Sequence, residues 1–137
     1  MQLKDKLASL DPQTLEPGPS TDALVAEILG EPEPQEKATV ASHFMAHRFW
    51  NTRIVVPESS DGECGYAWHP VDISKSPGLA FEVLWPWLDN RTNILILRGR
   101  SLNTGVGDGP DYVQLFDKVQ PIHFCRAVVA VAKARNR

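Results

Sequence analysis

A chain of 137 residues has the length of one domain and can bury a sizeable core. With 42% hydrophobic and 23% charged residues its usage is ordinary for a globular protein, which excludes disorder of the whole chain. A net charge of −3 excludes a strongly basic surface of the kind that neutralises nucleic-acid phosphates.

That charge is unevenly spread. Residues 1–36 hold eight acids against Lys4 and Lys6, and the remainder holds 12 lysines and arginines, scattered, against nine acids. The apolar run Ile94-Leu95-Ile96-Leu97 is strand-sized, and no run in the chain approaches the roughly 20 residues that cross a bilayer. Residues 1–6 lead into no apolar h-region, so no signal peptide is read and a cytoplasmic location is the expectation. Two cysteines, Cys64 and Cys125, are too few for a disulfide framework and suit a reducing compartment.

In chain order, residues 3–10 suit a short helix stopped by Asp11-Pro12, and Pro17-Gly18-Pro19 enforces an extended turn. Residues 1–19 are thus expected as an N-terminal arm or short helix, and 20–137 as one domain. Ser20 or Thr21 can cap a helix over 22–29, whose Leu24, Val25, Ile28 and Leu29 share a face and which Gly30 stops. Glu31-Pro32-Glu33-Pro34 reads as a stiff acidic surface loop. Residues 38–50 fit helix and strand equally. Thr52-Arg53-Ile54-Val55-Val56 reads as a strand, ended by Pro57 and a turn, with a hairpin partner near 65–68.

Ser76-Pro77 is a cap followed by a proline at the first helical position, and Leu79, Ala80, Val83, Leu84 and Trp87 then share one face. Pro86 should break or bend that helix. Residues 93–98 read as a strand covered on both faces, 102–110 as a glycine-rich hairpin loop, and 111–117 as a further strand. A last helix begins at Pro121, with Ile122, Cys125, Val129 and Ala132 in one stripe that Val128 widens. Helices and strands in this order predict an α+β fold with a central, mainly antiparallel sheet and helices on its faces.

Three stretches carry a family resemblance: Asp22-Ala23-Leu24-Val25-Ala26-Glu27-Ile28-Leu29-Gly30, then Asp72-Ile73-Ser74 with the helical Ala80-Phe81-Glu82-Val83-Leu84, then Pro121-Ile122-His123-Phe124-Cys125-Arg126-Ala127. In order and spacing they resemble the phage ABA sandwich domain family, over residues 22 to 134. Val71 departs from the hydroxyl usual there, and Phe124 from the isoleucine usual before the cysteine. The resemblance implies an α-β-α sandwich and a phage or prophage setting in a bacterial host, and it implies no activity.

Candidate chemistry is sparse. Cys125 sits near a helix N-terminus, where a thiolate is favoured. His123, two residues before it, is off its face, and the stripe makes Cys125 a core residue. Arg126 can tie the helix to a carboxylate such as Asp72. His43 and His47, four apart, would share a helical face, and Cys64 and His69 could complete a zinc set with them, which is weak because no Cys-x-x-Cys pair accompanies it. The Gly105, Gly107 and Gly109 loop precedes a strand and lacks a Lys-Ser/Thr close, unlike a phosphate loop, and Asp108 and Asp111 are too few for calcium. Trp85 and Trp87 flank Pro86 and stand as the binding candidates.

The sequence therefore points to a phage or prophage accessory protein acting through protein–protein contacts, without a cofactor or a membrane and with nucleic acid disfavoured. Its partner is a host or phage protein or a second copy of the chain. The alternative is a small enzyme or zinc-binding protein using Cys125 or the His43/His47 pair.

Overall fold

Prolines and glycines punctuate this chain closely enough to account for many of its element ends. The computed structural model describes residues 2–39, 42, 47–56, 65–89, 93 and 120–136. Helix α1 (Leu3–Ala8) and a 3-10 turn (Pro12–Thr14) lead into α2 (Pro19–Ile28). Strands β1 (Trp50–Val55) and β2 (Gly65–Pro70) pair antiparallel, in a register running from Trp50 opposite Pro70 to Val55 opposite Gly65. A second 3-10 turn (Ile73–Lys75) precedes the helical stretch 77–87, termed α3, and the chain closes on α4 (Pro121–Arg135). Helices with an antiparallel sheet make the class α+β, and among the described residues the sheet has these two strands.

Helix α2 starts earlier than its sequence predicts. Neither Ser20 nor Thr21 is its N-cap; Gly18 is, with Pro19 at the first helical position. Proline's fixed φ is already helical there and its missing N–H needs no partner, which outweighs the capping preference of the hydroxyls. Thr21 turns back instead and donates its hydroxyl to the Glu16 carbonyl at 2.6 Å. The other end is as expected. Gly30, at φ +99°, lets its own N–H reach the Glu27 carbonyl while Glu31 N–H reaches that of Ala26, so two terminal carbonyls are satisfied.

Helix α3 accommodates Pro86 by widening. Its first turn (Pro77–Leu79) carries the Ser76 cap, whose Oγ accepts from Leu79 N–H at 3.3 Å. A π-helical stretch (Ala80–Leu84) follows, and Trp85 N–H reaches back to the Ala80 carbonyl. In an α-helix the Pro86 ring would collide with the carbonyl four residues earlier; the wider turn before it relieves that clash and the helix runs on to Trp87. Ala80, Val83 and Leu84 are buried, as the shared face required.

Helix α4 is the element around which the others pack: it touches α1, both 3-10 turns, α2 and α3. The predicted stripe is buried throughout, and His123, Phe124 and Ala127 join it, so the first half of the helix is covered nearly all round. Each large apolar side chain buried this way stabilises the fold by roughly 1.5–3 kcal/mol. The N-terminal residues belong to the same core. Leu7 and Leu15 pack within it, Arg126 donates from Nε and Nη2 to the Leu15 carbonyl at 3.0 and 2.8 Å, and Lys133 Nζ donates to that of Leu10 at 2.7 Å.

The expected strand over 93–98 does not begin at Asn93, which is helical and donates its N–H to the Asp89 carbonyl at 3.0 Å. Its side-chain amide also donates to the Trp85 carbonyl at 2.9 Å, a tie across the end of α3 that the apolar run following it did not signal. Residues 94–98, the glycine-rich loop and the expected strand at 111–117 lie outside the described residues.

Candidate functional site

The acidic, proline-rich loop at 31–36 is held down, and the way it is held creates a groove. Glu31 accepts from Phe49 N–H at 2.8 Å and Arg48 N–H at 3.2 Å, one to each carboxylate oxygen. Trp50 Nε1–H donates to the Glu31 carbonyl and Trp68 Nε1–H to that of Glu36, both at 2.8 Å. His47 Nε2 lies 3.2 Å from a Glu36 carboxylate oxygen and meets Trp68 edge-to-face, with ring centres 5.0 Å apart. Trp50 and Trp68 reach the loop together because residues two apart, and residues opposite one another, share one face of a hairpin. Here Trp50 faces Pro70 and Trp68 faces Thr52.

Between this loop, α2 and the hairpin lies an open groove of about 680 Å³. Trp50, Trp68 and Pro70 form its hairpin side, Ala23 and Leu24 its α2 side, and Pro32 and Glu33 its rim. Glu27 and Lys6, which also border it, pair at 3.0 Å. Glu33 makes no ion pair among the described residues.

A second polar feature sits inside the fold. Asp22 is only 2% exposed, and its Oδ1 accepts from Ser74 N–H at 2.8 Å, while Ser74 Oγ accepts from Gly18 N–H at 3.0 Å. The start of α2 is thereby locked to the second 3-10 turn. Burial pushes the Asp22 carboxyl above its ordinary value of 3.8, against the hydrogen bonds from Ser74 that pull it down.

The candidates named from sequence fall as follows. Cys125 is a free thiol with no exposed surface, and burial first, with Asp22 nearby, pushes it up to about 12. A thiol in that state is protonated at neutral pH and is a packing residue. His123 does not face it as a base; its Nδ1 accepts from Gln120 N–H at 2.8 Å. Burial and, second, the Arg126 charge lower His123 from 6.5 to about 4. The hydrogen bonds described for Arg126 run to Leu15 rather than to Asp72.

Of the zinc set, His43 and Cys64 lie outside the described residues. His47 packs on Trp68, whereas His69, the next residue along β2, points to the opposite face of the hairpin, so the two imidazoles are not brought together. Among the described residues no three metal-ligating side chains converge. Trp85 and Trp87 are half-buried. Trp85 packs against Phe124 and Phe81, and the Arg135 guanidinium lies 4.9 Å from the Trp87 ring centre. The fold uses much of both rings, leaving Phe81, 44% exposed, as the open aromatic of that face.

The stiffness of the acidic loop is legible in the sequence, but its union with Trp50 and Trp68 is not. The available signal was the alternation of Trp50 with Thr52, and of Trp68 with Pro70, which puts both indoles on one face. Among the described residues no helix is long and apolar enough to cross a membrane. No family model, curated protein or solved structure matches the chain.

Proposed function

We propose that this chain is a phage or prophage accessory protein that works by binding another protein, in the cytoplasm of the bacterial host. The observation that carries the binding role is the groove between α2, the 31–36 loop and the hairpin. It is lined by apolar and aromatic side chains together with the polar Lys6, Ser20, Glu27, Glu33 and Gln35, and walled by a loop that its own hydrogen bonds hold in place. Surfaces that hold a partner's side chains combine aromatic anchors with a polar rim in this way. The phage setting rests on the resemblance of the 22–30, 72–84 and 121–127 stretches. So does the fuller α-β-α sandwich, with helices on both faces of the sheet, toward which the α+β composition is a first support.

Photo-crosslinking in host cells tests the docking role. A benzophenone amino acid replaces Gln35, on the groove rim, or Glu82, exposed on α3 near Trp85. The expected result is a discrete protein adduct from position 35 and none from position 82. An adduct from position 82 alone would move the interface to the Phe81 and Trp85 face. No adduct from either position would overturn the proposal.

A further inference from the structure

The groove's polar atoms narrow what it can hold. Both indole N–H groups are committed, Trp50 to the Glu31 carbonyl and Trp68 to that of Glu36, so neither is left to donate to an occupant. Both Glu31 carboxylate oxygens are engaged by backbone N–H groups, and Glu36 by His47. What remains along the groove are the neutral side chains of Ser20 and Gln35 and two negative acceptors: Glu33, without an ion pair among the described residues, and Glu27 Oε1, since Lys6 binds Oε2.

Resting on the docking role proposed above, we infer that the occupant is a cationic segment of a partner protein. Its lysine or arginine stems lie along Leu24, Pro32 and the Trp68 ring, and their charged ends reach Glu33 and Glu27. Long cationic side chains suit such a groove twice over. Their methylene stems cover apolar surface while the charge stays at the edge, and an aromatic face attracts the cation itself. An anionic segment would meet like charge, with only Lys6 to pair with.

Blocked heptapeptides alternating leucine with lysine, glutamine or glutamate test this on the full chain, labelled with nitrogen-15. The expected outcome is that the lysine peptide shifts the Trp50 and Trp68 indole signals and the 20–27 and 31–36 amides, saturably and less tightly as salt rises. The glutamine peptide binds at least about fivefold more weakly, the glutamate peptide not at all, and Glu33→Gln weakens the lysine peptide by about two- to fivefold. Glu33 is exposed, so this variant leaves the fold unchanged, which its amide spectrum checks. Equal binding of the glutamine and lysine peptides, or an unaltered affinity in Glu33→Gln, overturns the cationic inference while leaving the docking role standing. If no peptide shifts the groove, the cationic inference fails, and the crosslink at position 35 decides the docking role by itself.

Discussion

Replacing Asp22 by alanine and by asparagine separates two things the buried carboxyl does. Its Oδ1 is the acceptor for Ser74 N–H at 2.8 Å, and both residues are 2% exposed, so alanine leaves a buried backbone donor without that partner. A loss of this kind costs about 1–3 kcal/mol. Asparagine keeps an oxygen in place and removes the charge, so its cost at neutral pH stays within about 1 kcal/mol. The pH dependence has a definite sign. Burial raises the folded-state value above 3.8, so the carboxyl's contribution is fully present below 3.8 and is lost as pH rises through the raised value. The difference between wild type and Asp22→Asn therefore moves in favour of asparagine between acid and neutral pH. Urea unfolding followed by circular dichroism, at neutral pH and below 3.8, reads both effects, and other groups cancel in the difference. If asparagine is as damaging as alanine, or alanine costs less than about 0.5 kcal/mol, the Asp22–Ser74 bond does not hold α2 in place.

His123 gives the opposite slope: lowered from 6.5 to about 4 by burial and then by Arg126, it contributes stability that is present above 6.5 and lost as pH falls towards 4. His123→Gln, which keeps an acceptor facing Gln120 N–H, should flatten this limb by up to about 3 kcal/mol, and parallel profiles for the two proteins would contradict the assignment. Gly30→Ala should cost about 1 kcal/mol in urea unfolding, because φ is +99° and nothing within 4 Å would resist the added carbon sterically. A variant as stable as wild type would show that this turn relaxes freely. In a Cys64→Ser background, Cys125 should react with a disulfide reagent no faster than the protein unfolds, in keeping with a buried thiol held up to about 12. Modification at the rate of the urea-unfolded chain would disprove its burial.

What could be read from the sequence were features set by local chemistry. The Ser76-Pro77 start, the Gly30 stop and the stripe of α4 each follow from a steric or periodic rule that acts within a few residues. Pro86 signals a disruption that takes the form of a π-helical stretch just before it, with the helix ending one residue after it. The N-cap of α2 differs from the residue its sequence predicts because two valid local preferences compete there and proline's prevails. The buried tie of Asp22 is not legible in the sequence, since its partner Ser74 lies 52 residues away and no short-range pattern links them. The groove was invisible for the same reason. It depends on Glu31 finding Phe49 N–H and on Trp50 and Trp68 sharing a hairpin face, pairings made across the fold.

Those long-range ties also bear on how such a groove would bind. A loop that must be ordered on contact spends part of its binding free energy on that ordering, at roughly 1–2 kcal/mol of conformational entropy for each residue fixed. The 31–36 loop is anchored before any partner arrives: two carbonyls are capped by indoles, one carboxylate by two backbone N–H groups, and Pro32 and Pro34 restrict the backbone between them. The same anchoring consumes both indole donors, which would otherwise give directional recognition from the hairpin side. What is left is a fixed wall with apolar surface and unneutralised carboxylate at Glu33, a combination suited to selecting a partner by charge and shape rather than by a matched hydrogen-bond pattern. Tightness should then come from the stems against Trp68 and Leu24, and discrimination from Glu33 and Glu27. Salt should therefore erode the second much more than the first.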